Sequence, residues 1–203
     1  MSSKMSQSHE ILDVQKWALK LKGIFTVSDL KTILRCQSRS TFFQKINRLE
    51  KLNVISRFSR TIYLTDGYSS EDLSSRLNSN SYISFGTVLA QHMLIGSIPT
   101  FRVQSVKTGK SRVYSNEHLT IEHLSIQKKL YFGFESDGWI KKATPEKAYL
   151  DTLYFAQKGK KFSFDPYSDV DISKLNMVKI NEYLKSYSLK FNNYYHSLDC
   201  NAK

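Results

Sequence analysis

Along residues 10–22, EILDVQKWALKLK, the apolar positions Ile11, Val14, Trp17, Ala18 and Leu21 fall on one stripe at the 3.6-residue period. This predicts a first amphipathic helix, with Gly23 placed to stop it and residues 1–9 a frayed tail before it. Leu30, Ile33 and Leu34 repeat the helical spacing behind Ser28, a candidate N-cap, and Cys36-Gln37-Ser38 reads as a turn. From about Arg39 to Leu52, the residues Phe42, Phe43, Ile46, Leu49 and Leu52 form a second helical stripe. The period then drops to two. Val54 to Phe58 and Thr61 to Leu64 alternate around Ser59-Arg60, the pattern of a hairpin.

Helix, tight turn, helix and hairpin in that order predict an N-terminal winged helix-turn-helix over residues 1–67. Asp66-Gly67 marks a turn. The Ser- and Asn-rich stretch 68–80, YSSEDLSSRLNSN, reads as a linker holding a short helix from Glu71 to Leu77. A second, mixed α/β domain then occupies 81–203. Its opening stretch, 82–94, holds a helix capped by Ser84, with Val88, Leu89 and His92 to Leu94 behind it, and ended by Gly96 to Pro99. Strands follow at 101–106, 112–114 and 119–124, with Thr108-Gly109-Lys110 as a hairpin turn. Runs 129–134 and 139–143 read as two more strands joined around Asp137-Gly138. Thr144 then caps a helix with Pro145 in its first position, Glu146 at its positive end, and Leu150, Leu153 and Tyr154 facing inward. Asp165-Pro166 breaks the chain before a helix over 172–185 that uses Leu175, Val178, Ile180 and Leu184, and residues 188–197 add a last turn or short helix. The predicted class is α+β.

Charge sharpens this picture. The polar side of the helix beginning at Arg39 carries Arg39, Ser40, Thr41, Gln44, Lys45, Arg48 and Lys51, side-chain types that reach phosphates and base edges in a major groove. Arg57 and Arg60 sit at or near the hairpin tip. Residues 1–66 hold 12 Lys+Arg and 5 Asp+Glu, so 12 − 5 = +7 of the chain's +12 lies there. A basic helix face is usually only a solvated one, and winged helices also bind proteins. Here the cations cluster where this motif meets a phosphate backbone, which points to double-stranded DNA. A membrane is the lesser candidate, because no apolar run approaches the length of a span. The polar N-terminus lacks a signal peptide's apolar core, and Cys36 and Cys200 match no paired-cysteine pattern. A cytoplasmic, reduced setting is therefore expected.

The second half resembles the AbiEi family, the antitoxin and autorepressor component of abortive-infection toxin-antitoxin systems. The resemblance rests on SYISFGTVLAQHMLI (81–95), FRVQSVKTGKSRVY (101–114) and above all IKKATPEKAYLDTLYF (140–155). A winged helix in front of this domain is also the family's arrangement. One departure is Met93, where many relatives carry glycine after the histidine. The resemblance implies an N-terminal domain that binds inverted repeats at its own promoter, and a second domain that counters a nucleotidyltransferase-type toxin without a stable complex being assumed. It singles out Thr144, Pro145, Glu146, Lys147 and Asp151 as the antitoxin motif. Read from the residues alone, Glu146 is a helix-dipole partner, and Lys147 with Asp151 is a surface i,i+4 pair worth about 0.2–0.5 kcal/mol.

Enzyme chemistry finds little support. A nucleotidyltransferase would need Gly96-Ser97 close in sequence to a carboxylate pair, but Ser97 and Asp169-Val170-Asp171 stand 72 residues apart (169 − 97). The two aspartates read better as helix caps. His118 and His123 are five apart on a predicted strand and so point to opposite faces, against a shared metal. TGKS at 108–111 lacks the upstream glycine of a phosphate loop. No catalytic, metal or cofactor residue is expected. The alternative to an antitoxin is a winged-helix regulator with no toxin, whose second domain senses a ligand or dimerises.

Overall fold

The computed structural model describes residues 2–97 and 100–199, with side chains over 8–97 and 100–198; the expectations for Pro99 and Cys200 lie outside the described residues. The chain is a mixed α/β, α+β protein. Its first unit runs α1 (Ser2–Leu21), β1 (Ile24–Thr26), α2 (Val27–Ile33), α3 (Arg39–Lys51), β2 (Ser56–Arg57) and β3 (Ile62–Leu64). Helix α1 already includes residues read as a frayed tail. Gly23 ends it at φ +73°, its N–H donating to Ala18 O at 2.9 Å, and a Cβ there would stand 2.9 Å from Thr65 Oγ1.

Three local details differ from the sequence reading. The cap of α2 is Thr26, not Ser28: Thr26 Oγ1 accepts from the Asp29 N–H at 3.1 Å while the Asp29 carboxylate accepts from the Thr26 N–H at 2.8 Å. This reciprocal box satisfies two otherwise unpaired donors, where Ser28 would satisfy at most one. Strand β1, too short to show alternation, was not anticipated. It pairs with β3, giving a sheet ordered β1-β3-β2. Val14, Phe25, Leu30, Leu34, Phe42, Ile46, Leu49, Ile55 and Tyr63 pack together beneath it. The stripe on α3 is narrower than its pattern suggested, because Phe43 and Leu52 are exposed.

The 68–80 stretch, read as a linker, carries a packed helix, α4 (Ser70–Leu77), whose Leu73 is fully buried. Leu73 shares one core with Ile24, Phe58, Ile62 and Leu64 of the first unit and with the second sheet. Polar contacts add to it. Arg76 reaches back to Asp29 at 2.9 Å, and Asp72 Oδ1 accepts from Lys22 Nζ at 2.9 Å and from the Trp139 indole N–H at 2.6 Å.

The second unit contains β4 (Ser81–Ile83), α5 (Phe85–Gln91), β5 (Arg102–Lys107), β6 (Arg112–Ser115), β7 (Thr120–Ser125), β8 (Phe134–Asp137), β9 (Ile140–Ala143), α6 (Pro145–Gln157), α7 (Met177–Leu184) and α8 (Leu189–Asp199). Its sheet is ordered β6-β7-β5-β4-β9-β8. The turn at Thr108–Lys110 does not join a hairpin, since β5 pairs in parallel with β7, and β6 pairs antiparallel on the outer side of β7. Burial accounts for this. Val103 to Val106 are all buried, as a strand flanked on both sides requires, whereas Arg112, Val113 and Ser115 are exposed and suit an edge. Of the run 129–134, only Phe134 is strand, and a 3₁₀ turn at Lys128–Leu130 precedes it. Helix α7 starts later than expected, behind its Asn176 cap. Val178 on it is 79% exposed, while Ile180 and Leu184 are buried. Helix α6 is buried on every side from Glu146 to Phe155.

Candidate nucleic-acid interface

Ser38 starts α3 by accepting the Thr41 N–H at 3.0 Å, and its hydroxyl lies 2.8 Å from that of Thr41. Arg39, Ser40, Thr41 and Gln44 are exposed, as the sequence suggested, and they share this face with Phe43, Asn47 and Lys51. The Arg39 guanidinium stands 5.6 Å from the Phe43 ring centre, which positions it without a carboxylate partner. Asn47 was missed. A helical wheel through 40, 44, 47 and 51 would have found it, since these positions lie three or four residues apart on one face.

Lys45 and Arg48 belong to a different surface. Lys45 Nζ donates to Leu34 O at 2.9 Å and pairs with Glu10 Oε1 at 2.9 Å, and Arg48 pairs with the other oxygen of Glu10. Both residues flank the buried stripe of Phe42, Ile46 and Leu49, so they turn toward α1 and fasten it to α3. Arg57 and Arg60 on the hairpin are exposed. Arg57 Nε donates to Ser59 O at 3.2 Å, and its guanidinium lies 5.9 Å from the Tyr63 ring. Arg39, Gln44 and Lys51 on the helix, with Arg57 and Arg60 on the hairpin, thus offer cations and amides that no acidic side chain occupies among the described contacts.

The motif at the start of α6 is built in the opposite way. Thr144 caps the helix through the Lys147 N–H at 3.3 Å, with Pro145 in the first turn. Glu146 accepts the Asn176 N–H at 3.3 Å, with Lys179 Nζ 3.4 Å from its second oxygen. Burial raises the Glu146 carboxyl, but its hydrogen bonds and Lys179 outweigh this and hold it below its ordinary value. Lys147 and Asp151 form an ion pair in which both side chains are 0% exposed, which corrects the surface-pair expectation. Lys147 Nζ also donates to the Tyr187 hydroxyl at 3.0 Å. Asp151 Oδ2 accepts from Tyr82 OH at 3.0 Å and Ser84 Oγ at 2.9 Å. Burial pushes the lysine down and the aspartate up, each resisted by the charge of its partner. The lysine stem lies against Gly133, where a Cβ would come within 3.1 Å of Lys147 Cγ.

Ser84 therefore spends its hydroxyl on Asp151 and makes no capping bond to α5. Phe85, fully buried, takes φ +58°, a left-handed conformation that is unusual for an aromatic residue. Met93 has φ +53° just beyond the end of α5. That is a conformation glycine adopts without cost, the residue the resemblance leads one to expect there.

The two histidines sit in different settings, and His118 does not lie on the strand that the alternation argument assumed. His118 is exposed before β7, while His123 is fully buried with Nε2 3.0 Å from Ser74 Oγ, itself 2.7 Å from Ser105 Oγ. Burial lowers His123 to about 4. Asp171 accepts the Ser173 N–H and caps the 3₁₀ turn at Ile172–Lys174, and Asp169 accepts the Asp165 N–H at 2.7 Å, so both aspartates serve local backbone. Among the described residues, no helix is long and apolar enough to cross a membrane.

The elements and sheets place the chain in the α+β class. Searches of family models and of curated proteins find no match. Among solved structures, the crystal structure of the RV2827C protein from Mycobacterium tuberculosis matches with a TM-score of 0.59 at 13% identity, covering 86% of this chain and 70% of that one. At this identity the likeness concerns the fold alone.

Proposed function

We propose that this chain is a winged helix-turn-helix autorepressor and antitoxin that binds inverted repeats at its own promoter and counters a nucleotidyltransferase-type toxin. The observation that carries the DNA-binding half is the unpaired polar face of α3, Arg39, Ser40, Gln44, Asn47 and Lys51, beside the hairpin cations Arg57 and Arg60. A recognition helix needs such a face free of acidic partners, with the hairpin as a second phosphate contact. Lys45 and Arg48 are withdrawn from the reading set because Glu10 engages them. The antitoxin half is supported by the resemblance of TPEKAYLD to the AbiEi motif. Its residues Lys147 and Asp151 then act by shaping the domain, since no partner can reach them in the folded chain.

A mobility shift with the DNA upstream of the chain's own gene tests the first half. Binding is expected to weaken steeply with salt, as counterion release requires. No shift, or one indifferent to salt, would refute it. Survival of cells expressing the neighbouring toxin, with and without this chain, tests the second; survival that does not depend on the chain removes the antitoxin reading.

A further inference from the structure

We propose that the cleft between the start of β5 and the segment 160–164 binds a free mononucleotide. The cleft measures about 510 Å³, within the range of small-ligand sites. Phe101, 74% exposed, and Phe162 both line it. The Phe162 ring packs against Phe85 and Phe164, each with its ring centre 5.6 Å away, so it is a fixed platform. An exposed ring and a fixed ring around one cleft suit a planar aromatic ligand.

The charges define the rest of that ligand. Glu122, bonded to the lining residue Gln104, is already neutralised: Lys160 Nζ lies 2.7 Å from it and the Gln104 side-chain N–H donates to it at 2.8 Å. Burial raises this carboxyl, but those bonds outweigh it and keep it ionised. Arg102 is only loosely engaged, 3.7 Å from the same carboxylate and half exposed, and Lys161 is exposed on the lining with no ion pair among the described residues. The cleft thus keeps a positive surplus next to its aromatic walls. A base carrying a phosphate matches both features, with Arg102 and Lys161 on the phosphate and the Gln104 side chain in the wall. This site lies on the second sheet and stands or falls independently of promoter binding.

Calorimetric titration of the full chain with AMP, GMP, CMP and UMP tests the proposal, with adenosine and inorganic phosphate as the separated halves. At least one monophosphate is expected to bind at a single site, about 10-fold or more tighter than either half. Phe101→Ala and Arg102→Ala should each weaken binding by about 5- to 100-fold with an unchanged melting temperature, while Lys129→Ala leaves it intact. Absence of saturation by about 10 mM overturns the proposal, as does equal loss in Lys129→Ala. A trinucleotide that binds more tightly than any monophosphate, with the same dependence on Phe101 and Arg102, overturns the free-nucleotide assignment in favour of single-stranded nucleic acid.

Discussion

Helices α3 and α6 invite comparison. Each is 13 residues long, each is opened by a hydroxyl cap that bonds the third helical N–H, and each carries charged residues in its polar positions. Helix α3 buries one stripe and leaves Arg39 and Lys51 in solvent, while Lys45 and Arg48 pair with Glu10. Helix α6 is buried all round, and its Lys147–Asp151 pair sits within aromatic side chains. The same chemical vocabulary therefore does opposite work. Exposed charge costs little to keep and is available to a partner. Buried charge carries a large desolvation cost, so it persists only with every atom matched, and it then specifies the packing around it.

The strongest way to break this comparison is to remove one partner of the buried pair. Lys147→Met should cost about 3–5 kcal/mol, because it strands the Asp151 carboxylate in the core. The double variant Lys147→Met/Asp151→Leu should recover part of that loss, and Lys51→Ala on α3 should change stability by less than about 0.5 kcal/mol. Urea denaturation of the full chain reads all three. A negligible cost for Lys147→Met would mean that the pair is not the anchor described.

His123 gives the next largest effect. Its folded value, about 4, lies below its ordinary 6.5, so the unfolded chain binds the proton first as pH falls. The stability is present above pH 6.5 and is lost as pH drops toward 4, by about 3 kcal/mol from this group. Melting curves across that window should therefore be steeper for the natural chain than for His123→Gln. Parallel curves would assign the acid loss to carboxylates alone.

Smaller effects separate the two sides of α3. Arg39→Ala and Gln44→Ala should each weaken promoter binding by about 1–3 kcal/mol at constant melting temperature. Lys45→Ala should instead lower the melting temperature, since it loosens the grip on Glu10 between α1 and α3. A pure binding defect in Lys45→Ala would return it to the reading face. The mildest case is Arg60→Ala, expected to weaken binding evenly across DNA sequences and to reduce the salt slope by about one. A sequence-selective loss there would make the hairpin a base reader.

The helices were legible because their periodicity and caps are local. Thr144, Pro145 and the stripe of Leu150 and Leu153 describe α6 without reference to anything else in the chain. Pairing of strands was not legible. The Thr108-Gly109-Lys110 turn satisfied every local rule for a hairpin, yet β5 needed neighbours on both edges and β6 was fit only for an edge. The 68–80 stretch misled for a related reason. Serines signal a loop when solvated, but Ser74 is buried against Ser105 and His123, and Asp72 is held by Lys22 and Trp139, partners 31 to 67 residues away in the sequence.

The amino-acid order alone determined the helix segments, most of the strand segments, the excess of cations in the first unit and the exposed polar set on α3 around Arg39 and Gln44. These follow from backbone propensity, side-chain period and charge, all of which act within a few residues. The tertiary structure alone decided which cations stay in solvent, that Lys45 and Arg48 belong to Glu10, that α4 joins the two units, and that Lys147 and Asp151 lie in the core. Each of these depends on whether a distant surface covers the residue, and the change from water to a packed interior is what turns a weak surface pair into an anchor.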